Sequence, residues 1–342
     1  MAELAAAEPM LAELAAAEPM LLRPDQAPQR YLEAVQTAVA ACAAETVGQT
    51  CYICYGGGDE DEGLVRGCAC RGASGFVHIS CLARQAEVFV ERVISLERWY
   101  SCGLCEQNYH SVVLCALGWA AWKTYLGRPE ADLVRQSAMN LLGAGLSAAR
   151  HHEDASTVEE AELSLARRLG EPEENILVMQ GNLAGSYRRL GRLEEALRSH
   201  QDVYSGSLKL LGEEAGGTLK AANNYALSLS ELQRFEEAKA LLCKVMPVAR
   251  RVLGDNDEIT LWIRRNFARA LCKDPTATLD DLREGVTTLE DTERTARRVF
   301  GGSHPLTEGN VDDLRHARAA LHALETPPPP PSAPLYDEDE LD

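Results

Sequence analysis

Apolar side chains recur at helical spacing through most of the second half of the chain. In NLAGSYRRLGRLEEA (Asn182 to Ala196), Leu183, Tyr187 and Leu190 share one helical face before Gly191-Arg192 turns the chain. NYALSLSELQRFEEA (Asn224 to Ala238) repeats the pattern. Asn140, Asn182, Asn224 and Asn266 stand 42 residues apart, as do Gly170, Gly212 and Gly254. A fixed period of this size predicts stacked helical pairs, each too small to bury its own face. The expected fold is therefore mainly α, with a solenoid of helical hairpins over residues 111–324. Two places strain the pattern. Arg150 to Ala155 needs a one-residue shift, and Asp274-Pro275 interrupts the turn after Asn266, with about five extra residues before Gly301. Residues 303–324 are expected as a closing helix.

Ahead of the repeats, residues 29–48 read as a helical lead-in. The first 28 residues open with a duplication, MAELAAAEPM then LAELAAAEPM, interrupted by Pro9, Pro19, Pro24 and Pro28. That composition predicts a low-complexity, disordered leader without the basic start of a secretory signal. Residues 325–342 form a proline-rich tail ending in DEDELD, expected as an extended acidic segment. The apolar run Val112 to Trp122 is well short of the ~20 residues that span a bilayer. It aligns instead with the second helix of a repeat (111–127), so no membrane span is expected.

Charge and cysteine content narrow the function. The net charge of −18 disfavours nucleic acid as a partner. Of 11 cysteines, seven fall in close pairs, while Cys42, Cys115, Cys243 and Cys272 are scattered and read as buried apolar residues. This usage fits a reducing cytoplasm or nucleus and a soluble protein. His110, His151, His152, His200 and His304 lack ligand-spaced neighbours and read as surface or turn histidines. No catalytic triad, phosphate loop or open metal site is present.

Between residues 49 and 110 lies the chemistry. Cys51-x2-Cys54, Cys68-x-Cys70, His78-x2-Cys81 and Cys102-x2-Cys105 supply eight ligands in four pairs. Thiolates with imidazole suit a borderline-soft tetrahedral ion, with Zn2+ the usual occupant. Eight ligands fill two closed sites, which fold a module and leave no position for a reactive water. The pairs could join sequentially or alternately, and disulfides fit such spacings poorly.

These residues resemble the RING-CH (RING-variant) zinc finger. CACRGASGFVHISCL (Cys68 to Leu82) is close to that family's core, and GLCEQNY (Gly103 to Tyr109) resembles its end. A PHD finger shares the ligand order but differs in pair width and gap; Tyr100, two residues before Cys102, is its one feature here. The resemblance implies a cross-brace, with Cys51, Cys54, His78 and Cys81 on one zinc and Cys68, Cys70, Cys102 and Cys105 on the other. It also implies a RING-type E3 ubiquitin ligase, which holds a charged ubiquitin-conjugating enzyme in a reactive pose without a nucleophile of its own. By position, Ile53 and Leu104 join the docking patch. Two departures stand out: Gln85 occupies a position where the family commonly has tryptophan, and Glu106 follows the last ligand where a basic residue is common. A non-enzymatic scaffold of finger and repeats therefore stays open beside the ligase.

The repeats resemble tetratricopeptide repeats of the 42-residue kinesin-light-chain kind, through Leu183-Ala184-x2-Tyr187, the turn glycine and Glu194-Glu195-Ala196. That resemblance implies a concave groove lined by Asn182, Arg188, Arg189, Lys220, Asn223, Asn224, Arg265, Asn266, Arg269 and Lys273. Asparagine can bond a peptide backbone with both donor and acceptor. Basic residues there suit an acidic peptide partner. The same asparagines also read as ties between repeats, with the basic residues a solvated face. DEDELD at the chain's end is a further candidate for the groove.

Overall fold

The computed structural model describes residues 19–58, 62–68, 70 and 72–326; residues 1–18 of the expected leader and 327–342 of the expected tail lie outside the described residues. Helix α1 (Ala27–Thr46) starts two residues before the expected lead-in, because Pro28 sits in its first turn, where no N–H is needed. The finger follows, with α2 (Ile79–Val93) starting at its third ligand pair and the single turn α3 (Glu97–Tyr100) just before its fourth. Then come α4 (Ser111–Tyr125), α5 (Leu133–Ala148), α6 (His152–Leu169), α7 (Glu173–Arg189) and α8 (Leu193–Leu211). The array continues with α9 (Gly216–Glu231), α10 (Phe235–Val252), α11 (Glu258–Lys273), α12 (Leu279–Phe300) and α13 (Pro305–Glu325). Among the described residues no sheet forms, only isolated antiparallel bridges.

Successive helices from α4 onward pack as antiparallel neighbours, and alternate helices also touch: α5 on α7, α7 on α9, α9 on α11, α11 on α13. This is the tetratricopeptide-like solenoid that the 42-residue period predicts. The period reappears as side-chain bonds between residues 42 positions apart. Arg189 donates to Ser147 Oγ at 3.0 Å, and Arg298 to Asn256 Oδ1 at 2.9 Å. Asp274-Pro275 does not break the array. Asp274 accepts from the Thr276 amide and hydroxyl and from Lys239 Nζ, and Thr278 with Asp281 forms a capping box that starts α12. The apolar run 112–122 is buried as α4 in this packing. No helix among the described residues is long and apolar enough to cross a membrane.

The finger shares a core with the first hairpin. Val65, Phe76, Ile79, Leu82, Ala86 and Trp99 cluster with Val113, Leu117 and Ala121 of α4 and Leu141 of α5. Helix α1 lies over the other side, where the Arg66 amide donates to Cys42 Sγ at 3.4 Å. Gly63 is required there, because a Cβ at that position would run into a methyl of Val39.

A second contact joins the finger to the far end of the array. Gln107 Nε2 donates to the Val299 carbonyl at 2.9 Å, across 192 residues of sequence. Beside it the His110 and His304 rings meet edge to face at 6.3 Å, and Phe300 stacks on His304 at 4.8 Å. Burial holds both imidazoles below the usual histidine range. Both stand in the connections just before α4 and α13, within the expected surface or turn reading, but half-buried and in ring contact. His200 is not the surface or turn residue expected from sequence: it lies inside α8, 2% exposed, bonded through Nδ1 to Ser228 Oγ at 2.7 Å and pushed by burial down to about 4. Cys115 is buried as expected, whereas Cys243 is exposed.

Helix α6 carries two buried carboxyls on one face, Glu159 and Glu162, each 3% exposed. Burial pushes Glu159 up to about 7 and Glu162 to about 8, against partial relief from the Ser186 and Asn140 side chains. Raised folded values mean that the fold prefers the protonated acids. Their stabilisation is full below about pH 4.5 and is lost as pH rises through 7 to 8. Glu162→Gln should change the thermal midpoint little at about pH 5 and raise it by about 5 °C at about pH 9. Circular-dichroism melts at both values check this, and an equal shift at the two would exclude ionisation as the cause.

Candidate metal centre and groove

The ligand pairs fold as two copies of one local structure. In the first, the Cys51 amide bonds the Gly56 carbonyl at 2.8 Å and the Tyr55 amide bonds the Cys51 carbonyl at 2.9 Å. In the second, the Cys102 amide bonds the Gln107 carbonyl and the Glu106 amide bonds the Cys102 carbonyl, each at 2.9 Å. Tyr55 and Glu106 both take positive φ (63° and 59°), the left-handed turn that brings the chain after each second cysteine back alongside the first. Amides aim at the sulfurs as well. Ile53 N–H reaches Cys51 Sγ, and Leu104 N–H reaches Cys102 Sγ, both at 3.4 Å.

The remaining ligands come from elements between the knuckles. An antiparallel bridge of Val65 with Val77 sets the strand-like approach to His78, which opens α2 and carries Cys81 on its first turn. The result is alternate pairing. Cys51, Cys54, His78 and Cys81 form one cluster and Cys68, Cys70, Cys102 and Cys105 the other, with ligand atoms in each within 4.8 Å of one another.

The donor geometry fits a tetrahedral zinc-sized ion. Bonds of about 2.3 Å to sulfur and about 2.1 Å to nitrogen put sulfurs about 3.8 Å apart and sulfur about 3.6 Å from nitrogen. Cys70 Sγ lies 3.7 Å from Cys102 Sγ, and His78 Nδ1 lies 3.4 Å from Cys54 Sγ and 3.7 Å from Cys81 Sγ. His78 Nε2 meets the Gly57 carbonyl at 3.0 Å. A carbonyl only accepts, so Nε2 carries the proton and Nδ1 offers its lone pair to the cluster.

Charge crowding within each cluster argues for a cation. The bond from Cys68 brings Cys102 down to about 4 and pushes Cys68 itself strongly up. Burial pushes Cys70 and Cys81 up to about 12. At Cys51 burial opposes ionisation, but the amides of Cys54, His78 and Ile53 outweigh it and bring the thiol down to about 7. Three or four thiolates cannot share such a space without a compensating ion.

Around the clusters, Leu104 is 56% exposed at the tip of its knuckle, Gln85 is exposed on α2, and Ile53 is half-buried against the finger core. Gln85 lies close to the Cys102–Cys105 loop: a Cβ on Gly103 would sit 4.0 Å from its Oε1. Trp99 is fully buried and Tyr100 is 41% exposed.

The groove residues are divided in their roles. Asn223 and Asn266 are buried and bonded to each other, Asn266 Nδ2 to Asn223 Oδ1 at 2.9 Å. They tie α9 to α11, the inter-repeat role. Asn224 Oδ1 accepts weakly from Asn223 at 3.5 Å, and Asn182 is half-buried. Arg188 pairs with Glu231; Arg265 and Arg269 share Asp313 at 2.7 and 3.4 Å. Lys220 and Lys273 are exposed. The internal partners Glu231 and Asp313 were missed in the sequence, although Glu231 stands 43 residues after Arg188, close to one repeat length. Helix α2 was missed too, although Ile79, Leu82, Ala86 and Val90 keep helical spacing.

Metal analysis should return two equivalents per chain, and cobalt substitution should show one four-thiolate and one three-thiolate, one-imidazole environment. Cys51→Ser should remove the imidazole-bearing spectrum and Cys68→Ser the other. Loss of the reverse environment in either variant would contradict the alternate pairing.

Family models match both halves of the chain. The RING-variant domain model matches residues 51–105, and a tetratricopeptide-repeat model matches 175–250 and 217–274. No curated protein matches. Among solved structures, BtubC (BKLC) from P. vanneervenii is 15% identical, covering 76% of this chain and 96% of that one, with a TM-score of 0.39. A kinesin-light-chain-like protein of Podosopora anserina with nearly identical TPR-like repeats is similar in two structures. One is 18% identical over 64% of this chain and 95% of that one, at a TM-score of 0.42. The other is 17% identical over 73% and 97%, at 0.37. The chain thus carries a RING-variant zinc-finger domain at 51–105 and tetratricopeptide repeats at 175–274.

Proposed function

We propose that the finger binds two Zn2+ and recruits a ubiquitin-conjugating enzyme, while the repeats hold a protein partner, making the chain a RING-type ubiquitin ligase of the cytoplasm or nucleus. One observation carries the reading. The core of the finger is buried against α1 and α4, yet Tyr55 (81% exposed) and Leu104 (56%) stand in solvent on the two knuckles. Exposed apolar tips on a rigid loop pair suit a protein-docking surface. The ions would supply only structure: closed ligand sets leave no open coordination position. Rate enhancement would come from orienting the thioester of the bound conjugating enzyme. In the groove, the excess of basic side chains suits an acidic peptide.

Gln85 and Glu106 favour the second reading, a non-enzymatic scaffold. Loss of an aromatic anchor removes a contact of ~2 kcal/mol. Lysine discharge from a panel of charged conjugating enzymes separates the two. A working ligase discharges them as wild type and loses at least about tenfold in Ile53→Ala with metal content intact. Discharge gained only in Gln85→Trp, or absent from wild type and both variants, leaves the scaffold.

A further inference from the structure

The groove contains a cleft of about 510 Å³ between the C-terminal ends of α9 and α11, lined by Leu227, Glu231, Phe235, Asn266, Arg269 and Lys273 among others. Its floor is apolar: Phe235 is buried and Leu227 half-buried. Its rim is cationic. Arg269 and Lys273 line it with Glu231, and Arg188 and Arg265 stand beside it through Glu231, which Arg188 pairs with, and Asp313, which Arg265 and Arg269 share. Lys273 has no ion-pair partner among the described residues. Partial burial and then the charge of Arg269 hold it below the usual lysine range. A site that crowds cations beside an apolar floor takes an anionic segment with an apolar or aromatic residue next to its charges.

Such a segment lies in the chain itself. Residues 335–340 read Leu-Tyr-Asp-Glu-Asp-Glu. They follow the end of α13, which arrives at the correct edge of the groove. Asp313 of α13 lies beside Arg265 and Arg269, so α13 runs alongside α11. At its C-terminal end Glu325 pairs at 3.0 Å with Arg283, near the start of α12, and α12 begins just after α11 ends at Lys273. The ends of α11 and α13 therefore share one edge of the array. Residues 327–334, PPPPPSAP, can span about 25 Å at ~3.1 Å per residue. Neighbouring helix axes are only about 10 Å apart, so the segment reaches the cleft.

We propose that residues 335–340 dock in the cleft between α9 and α11, with Leu335 and Tyr336 over Leu227 and Phe235 and the acidic run against Arg269 and Lys273. This rests on the groove reading above and adds its regulation: an acidic partner must displace the chain's own tail. A tethered competitor at an effective concentration in the mM range, with an intrinsic Kd of ~0.1 mM, weakens an outside ligand about tenfold.

The test uses the full chain and a fluorescent peptide of residues 333–342 as probe, read by polarisation. The comparison variant neutralises the tail with Asp337→Asn, Glu338→Gln, Asp339→Asn and Glu340→Gln. Expected are weak probe binding to wild type, about tenfold tighter binding to the neutralised chain, and loss of that gain when Lys273→Glu is added. Helical content and metal content report that each variant is folded. Equal affinity for wild type and neutralised chains overturns the proposal, as does a gain that Lys273→Glu leaves intact. A gain accompanied by dissociation of a dimer in light scattering also overturns it, assigning the cleft to a second copy's tail. An unrelated acidic peptide with an aromatic residue separates the two readings. If it binds both chains equally well while the probe binds neither, the groove reading stands and the tail proposal fails; if neither peptide binds either chain, both fail.

Discussion

In a chain whose four ligand pairs alternate between two clusters, the segment that closes each cluster carries one ligand pair of the other. Cys51 must meet Cys81, and Cys68 must meet Cys105, so the two loops cross and each holds the other in place. The two knuckles, with their matched amide bonds and left-handed residues at Tyr55 and Glu106, supply half of each tetrahedron. Everything else in the finger serves to bring a second half to them. That constraint extends outward, because α2 begins at a ligand pair and its buried face is also the face that packs on α4. The first hairpin of the solenoid thus packs on the helix that carries a ligand of the first cluster.

Much of this was legible in the residues, for identifiable reasons. Ligand pairs are local and their spacing is stiff, so Cys51, Cys54, Cys102 and Cys105 could be read directly. The 42-residue period is likewise a local pattern repeated, and it located the hairpins even where Asp274-Pro275 obscured one. What resisted were contacts that depend on how far the array curves. Nothing near His110 in sequence announces His304, and nothing near Gln107 announces Val299. His200 reads as one more polar residue on an amphipathic helix, yet it faces Ser228 across a buried helix pair.

The groove shows how a strongly acidic chain accommodates a basic strip. Arg188 and the Arg265–Arg269 pair take Glu231 and Asp313 from neighbouring repeats, which satisfies part of the charge and stiffens the stack at the same time. Asn223 and Asn266 turn their hydrogen bonds on each other. That internal pairing leaves two exposed cations, Lys220 near the start of α9 and Lys273 at the end of α11.

The contact between Gln107 and Val299 has a mechanical meaning. A repeat array with a free end behaves as a spring, and each hairpin interface can flex with little regard for the others. Clipping the last hairpin to the finger turns the spring into a closed hoop. Bending at any one interface must then be compensated elsewhere around the circuit, so local compliance becomes a property of the whole. A guest that widens the hoop strains the clip, and a broken clip lets every interface relax together.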